Sequence, residues 1–182
     1  MHTQAEEIVE FWFSKAVKPY WFKSTPEFDA QLRDKYSVLM RAARAEELDH
    51  WADTPQGALA LIILLDQVPR NVHRGTSESF ASDEAALRVA RQARAAGFDT
   101  AVDLDQRCFF YLPFMHSETL ADQDLCVALY EAAGAEDNVK YARLHRDLIA
   151  RFGRFPHRNS ILNRASTDAE REYLASDGAF RG

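Results

Sequence analysis

A run of eight apolar residues, Ala58 to Leu65, is the feature that most restricts how this chain can fold. The run follows Thr54-Pro55, a pair typical of a helix start, because proline in the first helical turn needs no partner for an N–H. It is far too short to span a bilayer. A helix that is apolar on every side must be surrounded by other elements. The sequence therefore predicts a central, covered helix that begins at Thr54-Pro55 and ends at Pro69.

Helix-start signals recur along the rest of the chain, whereas the alternation typical of strands is essentially absent. Thr3 with Glu6 and Thr167 with Glu170 form the pattern of a capping box. Further helix starts are predicted at Thr25-Pro26, Ser82, Asp103, Ser117 and Asp137 or Asn138, with helix ends or breaks at Pro19, Gly97, Pro113, Gly134 and Gly153. Helices joined by short loops favour an all-α fold. We predict an antiparallel array of about eight to nine helices in one domain spanning residues 1–182.

The composition limits the possible partners. Hydrophobic residues make up 47% of the 182 residues, enough for a sizeable core, and the formal charge of −6 argues against a general nucleic-acid binder. Between Arg143 and Arg164 there are six arginines and one acid, Asp147, so a local basic patch is expected. The chain shows neither a signal peptide nor a membrane span, and Cys108 and Cys126 are expected to be reduced. We therefore expect a cytoplasmic protein without a nucleic-acid or membrane partner.

The polar segment that follows the central apolar run is the first candidate site. Asp66 comes directly after the run, where a helix C-terminus disfavours a carboxylate and burial is costly, so it needs a partner. Arg70 and Arg74 are near enough to supply one, with Asn71 between them. One interpretation is a structural ion-pair network, and the other is a pocket in which the arginine forks hold an anion.

A second arginine-rich segment follows Gly153. Arg154, His157, Arg158 and Asn159 surround a Gly–Pro turn, and arginine suits bidentate capture of a carboxylate or phosphate. Backbone N–H groups of a helix starting near Pro156 would add a positive end. Basic side chains that cap the preceding helix would use the same residues, so both interpretations stand.

A third polar segment contains His116, Glu118 and Asp122. The two carboxylates are one turn apart and are expected to face the same side of a helix. The pair His116 and Glu118 matches part of a zinc deaminase signature, but the Pro-Cys-x-x-Cys part is missing. Dense His or Cys spacing typical of metal sites is also absent. We therefore expect no metal and no cofactor.

These three segments resemble a known bacterial family. The motifs Leu65–Asn71, Phe109–Glu118 and Arg151–Asn159 are similar to those of the domain of unknown function 924 family, and the resemblance runs from Phe11 to Leu174. It implies a tetratricopeptide-like stack of antiparallel helices with a right-handed superhelical arrangement. It implies no activity, because the family has none assigned. Val68 stands where phenylalanine is expected, and Asn163 where glycine is expected.

The leading functional hypothesis is a non-enzymatic binding module for a small anionic molecule or a protein partner. The expected pocket is formed by Asp66, Arg70, Asn71, Arg74, His116, Glu118, Asp122, Arg154, His157, Arg158 and Asn159. The alternative is a hydrolase for an anionic substrate, with His116 or His157 as general base and Glu118 or Asp66 as its partner. A third interpretation is that all three motifs are structural. The first two require that distant segments meet in space.

Overall fold

The computed structural model describes residues 3–181, and within that range the chain is helical and contains no strand. The helices are α1 (Gln4–Trp12), α2 (Pro26–Arg44), α3 (Pro55–Ile62), α4 (Val68–Val72), α5 (Asp83–Ala95), α6 (Leu104–Met115), α7 (Leu120–Ala133), α8 (Glu136–Phe152) and α9 (Asp168–Ala175). Because α3 and α4 are joined by a π turn, these nine segments form eight helices among the described residues. The predicted all-α class is confirmed.

Side-chain caps fix several helix starts where the sequence predicts them. Both capping boxes are present, at Thr3 and at Thr167. The side chains of Thr25, Thr54 and Asp103 accept backbone N–H bonds at the starts of α2, α3 and α6. Each bond satisfies an N–H group that has no partner inside the helix.

Three other predicted caps are wrong. The Ser82 hydroxyl does not cap α5, although α5 begins at the next residue. Helix α7 begins at Leu120, three residues after Ser117, because the Ser117 hydroxyl instead donates to the Asp122 carboxylate at 2.8 Å. Helix α8 begins at Glu136, before both residues predicted as its cap. The hydroxyls of Ser82 and Ser117 thus bond to other groups, Ser82 to the distant Leu65 carbonyl and Ser117 to the nearby Asp122.

The central helix continues through Pro69, so the predicted end there is wrong. The segment Ile63–Gln67 forms a π turn that joins α3 to α4, and the helix ends at Val72. Proline has no N–H to donate to the carbonyl four residues before it, which is that of Leu65. The Ser82 hydroxyl donates to this oxygen at 2.6 Å. A side chain from α5's start therefore replaces the hydrogen bond that the proline removes.

The predicted break at Pro113 is also wrong. Helix α6 runs through Pro113 to Met115. Every residue from Phe109 to Met115 is buried, and tertiary packing of this kind overrides a local helix-breaking preference. As a result, the C-terminal end of α6 places His116 beside the buried Asp66.

The core surrounds the predicted central helix. Each residue from Ala58 to Leu65 is at most 2% exposed, and α3 contacts α1, α5 and α6. Neighbouring helices run antiparallel: Tyr130 donates to the Cys108 carbonyl, and the Cys126 thiol to that of Tyr111, so α6 and α7 run in opposite directions. Arg143 with Glu131 and Arg146 with Asp124 show the same for α7 and α8. The covered central helix is confirmed. None of the helices described between residues 3 and 181 could cross a membrane.

Candidate functional site

The π turn Ile63–Gln67 leads into the first polar segment and leaves several backbone carbonyls bonded to side chains. The carbonyls of Leu65, Asp66 and Gln67 each accept a hydrogen bond from a side chain. The donors are Ser82 at 2.6 Å, Arg70 at 3.1 Å and Asn71 at 3.0 Å. The turn therefore fixes Arg70 and Asn71 by their side chains as well as by their backbone. Single π turns inside α-helices occur frequently at functional sites.

Asp66 is a fully buried carboxylate with donors from several directions. Its Oδ1 lies 2.7 Å from His116 Nδ1 and 3.4 Å from an Arg70 nitrogen, and Gln67 donates to Oδ2. Burial disfavours the charged form, but the Arg70 charge and the hydrogen bonds outweigh it and hold the Asp66 pKa well below its ordinary range. Asp66 is therefore ionised.

His116 is neutral at physiological pH. Burial and the positive charge of Arg70 lower its pKa, although the Asp66 carboxylate opposes that shift. Because an ionised carboxylate only accepts, His116 must donate from Nδ1 to Asp66. This bond fixes the tautomer and leaves a lone pair on Nε2, which takes part in no hydrogen bond among residues 3–181.

Two arginines from distant segments share one carboxylate, that of Asp83. Arg70 donates to Asp83 through both terminal nitrogens, at 2.8 and 3.1 Å, in a bidentate pair. Arg158 donates to the same group at 3.2 Å and also to the His116 carbonyl at 3.1 Å. The predicted residues Asp66, Arg70, His116 and Arg158, together with Asp83, therefore form one network, called here the arginine–histidine cluster.

Arg158 is held between two aromatic rings. Its guanidinium carbon lies 4.5 Å from the Phe80 ring centre and 4.6 Å from that of Phe155. The residue is 7% exposed, and its Nε has no hydrogen-bond partner. Burial and the nearby Arg70 charge lower the Arg158 pKa to about 10, so it still carries its charge near neutral pH. A buried cation with an unused donor is costly, and such a group in a native protein calls for an explanation.

Two more histidines lie beside the cluster. The His145 ring is 6.5 Å from that of His116, and Phe180 packs against His145 at 4.7 Å and His157 at 5.1 Å. His145 is buried and bonded to the Tyr141 carbonyl, as expected of a core histidine, whereas Nδ1 of His157 is buried without a partner. Burial lowers the pKa of each to about 4, so both are neutral at pH 7.

Glu118 belongs to a second network. It accepts two hydrogen bonds from Arg164, at 2.7 and 2.9 Å, and one from the Phe155 backbone N–H at 2.8 Å. Burial opposes its ionisation, but these donors prevail and lower the Glu118 pKa. Glu118 thus fixes the chain next to Arg158 rather than partnering His116.

Glu170, in α9, binds two further motif residues, Arg154 and Asn159. Arg154 pairs with it bidentately at 2.7 and 2.8 Å, and Asn159 donates to it at 3.2 Å. Asn159 also accepts from Arg164, which links the two networks. The Arg154 bonds lower the Glu170 pKa to about 2. This network stabilises the turn after Gly153, whose φ of 69° ends α8.

Two predicted site residues lie elsewhere. Arg74 pairs with Asp29 and Asn71 rather than with Asp66, and Asp122 pairs with Arg91. Glu118 and Asp122 therefore do not act together, because Glu118 precedes α7 and faces Arg164. No helix with a usable N-terminus starts near Pro156, where only a three-residue 3-10 turn forms.

The expected basic patch between Arg143 and Arg164 is also wrong. Five of its six arginines pair with carboxylates, in the pairs Arg143–Glu131, Arg146–Asp124, Arg154–Glu170, Arg158–Asp83 and Arg164–Glu118. Arg151 instead lies over the rings of Phe152 and Tyr173. The paired acids lie in other parts of the chain. The charges within residues 143–164 alone therefore give a surface that is more positive than the folded one.

The sequence pointed to the arginines but not to what holds them. In the sequence, Asp83 directly follows the helix start predicted at Ser82 and offers no more than a favourable charge there. Phe80 carried no signal, while Phe155 lay inside a motif without an assigned role. The excess of arginines over acids in the motifs was the one sequence signal that an acid from elsewhere must complete the cluster.

Two surface hollows lie away from the cluster. One of about 340 Å³ is lined by residues that include Asp49, Arg88 and Phe98, and one of about 360 Å³ by residues that include Asp124 and Arg143. Neither includes a predicted site residue. Within residues 3–181, no group of three or more histidine, cysteine or acidic side chains is arranged to hold a metal ion.

Comparison with known proteins agrees with this architecture. The family model described as bacterial protein of unknown function, DUF924, matches residues 8–178. The chain belongs to this family. A solved structure, that of a protein of unknown function, ATU0120, from Agrobacterium tumefaciens, has 44% sequence identity to this chain and a TM-score of 0.89. The match covers 94% of this chain and 96% of that one. No curated protein matches the chain.

Proposed function

We propose that this member of the DUF924 family is a binding module for a small anionic ligand, held by Arg70 and Arg158 in the arginine–histidine cluster. The observation that carries the proposal is the convergence of three distant segments. Asp66, His116 and Arg158 come from different parts of the chain and are linked by hydrogen bonds of 2.7 and 3.1 Å. Polar groups converging among apolar and aromatic walls are typical of ligand sites.

The state of the arginines supports an anion as ligand. Guanidinium groups hold planar anions bidentately, and their attraction grows as water is excluded. Arg158 is 7% exposed and flanked by rings, while the Arg70 side chain is 20% exposed. The cluster is thus partly exposed at Arg70 and largely closed off from water at Arg158.

Charge balance explains how the site persists without a ligand. Asp66 and Asp83 offset Arg70 and Arg158, and His116 is neutral, so the cluster has no net charge. A buried cation pair without such counterions would destabilise the fold. The acids therefore keep the arginines in place until a ligand arrives.

The test is a ligand titration of the intact chain. Small carboxylates and inorganic phosphate are added separately to 15N-labelled protein, and the arginine side-chain N–H signals are followed. We expect at least one anion to shift the Arg70 and Arg158 signals saturably. Arg158→Lys should weaken that binding about tenfold or more, because an ammonium lacks the planar fork. Arg143→Lys, in an exposed ion pair, is the matched control.

The proposal fails if no anion in the panel moves these signals, or if the two lysine variants bind equally. The proposal also fails if chloride at the same ionic strength shifts the arginine N–H signals as much as the tested anion does. Such a shift would come from screening, which acts on all exposed charges.

The Asp66–His116 pair favours a second candidate, acid–base chemistry on an anionic substrate. The buried carboxylate orients the imidazole through Nδ1 and leaves Nε2 as a proton acceptor, which is how a general base is positioned. The test is hydrolysis of carboxylate-bearing esters and amides. We expect His116→Gln to abolish turnover and Arg158→Lys mainly to raise KM. Turnover that survives His116→Gln would end this candidate.

A further inference from the structure

We infer that the Asp83 carboxylate occupies the position that a carboxylate of the ligand takes between Arg70 and Arg158, so that binding proceeds by exchange with Asp83. This inference rests on the proposed function and adds two statements to it. It names the ligand class, a small carboxylate, and it assigns Asp83 the role of an internal competitor.

The contacts of Asp83 are those expected of a bound carboxylate ligand. Its two oxygens receive one N–H each from the two terminal nitrogens of Arg70, at 2.8 and 3.1 Å. Arg158 adds a third N–H to Oδ2 at 3.2 Å. Parallel bonds from one guanidinium fork match a planar, two-oxygen group, so the position suits a carboxylate better than a tetrahedral anion.

Asp83 is more exposed than the other acid of the cluster. It is the first residue of α5, and its side chain is 20% exposed. A released carboxylate would still lie at the α5 N-terminus, where the helix dipole favours negative charge. Asp66 is completely buried and is held by His116, Arg70 and Gln67. Of the two acids, Asp83 is therefore the exchangeable one.

The exchange keeps the cluster electrically balanced. An incoming carboxylate replaces one negative charge between the arginines with another, so neither guanidinium is left unpaired. Breaking a buried pair without replacement would be strongly destabilising. A neutral ligand could not make this exchange, and the proposal therefore requires a charged one.

The unused Nε of Arg158 is a second, independent indication of a ligand. The residue is 93% buried, by its 7% exposure, and this N–H has no partner. Asp83 engages a different nitrogen of the same guanidinium. A ligand with a further acceptor beside its carboxylate could satisfy the unused donor, as Asp83 does not.

Thermal unfolding of Asp83→Ala in formate and in chloride of equal ionic strength tests the exchange. We expect formate to raise the melting temperature of this variant by about 5–10 °C once it exceeds its dissociation constant about a hundredfold. Wild type should need at least about tenfold more formate, because Asp83 competes for the position. Glu84→Ala removes the neighbouring acid from the same helical turn and should behave as wild type. Equal responses of Asp83→Ala and wild type, or stronger stabilisation by phosphate than by formate, would overturn the inference.

A measurement on the intact chain keeps the inference testable even if Asp83→Ala does not fold. The Asp83 carboxyl 13C resonance is followed while acetate or formate is added. We expect it to move together with the arginine N–H signals. If an anion moves the arginine signals and leaves the Asp83 carboxyl unchanged, the proposed function stands and the exchange is wrong. If no anion moves the arginine signals, the proposed function itself fails.

Discussion

A hydrogen bond of 2.7 Å joins the Asp66 carboxylate to Nδ1 of His116, fifty residues further along the chain. It connects the π turn of the central helix to the C-terminal end of α6. The bond keeps a completely buried carboxylate satisfied and fixes the imidazole tautomer. Stability and any chemistry at this site therefore depend on the same pair.

The first prediction concerns the contribution of the Asp66 carboxylate to the stability of the fold. We expect Asp66→Asn to lower the free energy of unfolding by about 1–3 kcal/mol, because a neutral amide weakens the buried hydrogen bonds to His116 and Gln67 and removes one of the two counterions of Arg70. Urea unfolding followed by circular dichroism measures the change. Asp137→Asn, which disrupts a largely exposed pair with Lys140, should cost less than about 1 kcal/mol. Similar losses in both variants would show that the buried pair has no special role.

The contact between Ser82 and the Leu65 carbonyl gives a second prediction. Ser82→Ala should destabilise the chain by about 1–3 kcal/mol, because the carbonyl opposite Pro69 would then be buried without a donor. Ser176→Ala removes an exposed hydroxyl that also donates to a backbone carbonyl, and it should change stability by less than about 0.5 kcal/mol. Equal effects in urea unfolding would contradict this account of the helix passing through proline.

Stability should fall as the pH is lowered from about 6.5 toward 4. His145 and His157 have pKa values lowered to about 4 in the folded chain, below the ordinary value of 6.5, so the unfolded chain binds their protons first. Their contribution is complete above about pH 6.5 and is lost as the pH falls toward 4. We expect unfolding near pH 5.5 to take up about two protons, one by each of these histidines.

A variant of His157 tests whether this residue accounts for part of the proton uptake on unfolding. His157→Gln should reduce the proton uptake, measured from the pH dependence of urea unfolding, by about one proton. His50→Gln, at an exposed position, is the matched control. An unchanged slope in His157→Gln would mean that His157 is not held neutral by burial.

Asn163 gives a prediction about the turn after Leu162. Its φ of 53° lies in the left-handed region, which explains why the family resemblance leads one to expect glycine there. Asn163→Ala should cost about 1–2 kcal/mol, because alanine tolerates this region poorly, whereas Asn163→Gly should be nearly neutral. Thermal unfolding compares the two. An alanine variant as stable as the glycine variant would contradict a backbone cause.

Local signals in the sequence predicted much of the fold. Thr54-Pro55 and the capping boxes fixed helix starts because their effects act within one turn. The all-apolar run required a covered helix. The failures at Pro69 and Ser82 have one shared cause, since the serine hydroxyl that was expected to cap α5 instead compensates for the proline. Such exchanges depend on contacts between distant segments, which local patterns do not contain.

The site was predictable in part for the same reason. Motif residues Arg70, His116 and Arg158 do meet, as the functional hypothesis required. Arg74 and Asp122 lie elsewhere because partners from α2 and α5 hold them. Asp83, which joins the two arginines, gave no signal beyond its helix-start position. The tetratricopeptide-like superhelix implied by the family resemblance stays a prediction.

A crystal structure of the intact chain with saturating formate would show whether a carboxylate ligand takes the place of Asp83. We expect the formate carboxylate to lie between the Arg70 and Arg158 guanidiniums, within about 3 Å of their nitrogens. Asp83 should then be turned toward solvent, with Asp66 and His116 unmoved. Asp83 still bound to both arginines, with formate absent from the arginine–histidine cluster, would contradict this exchange.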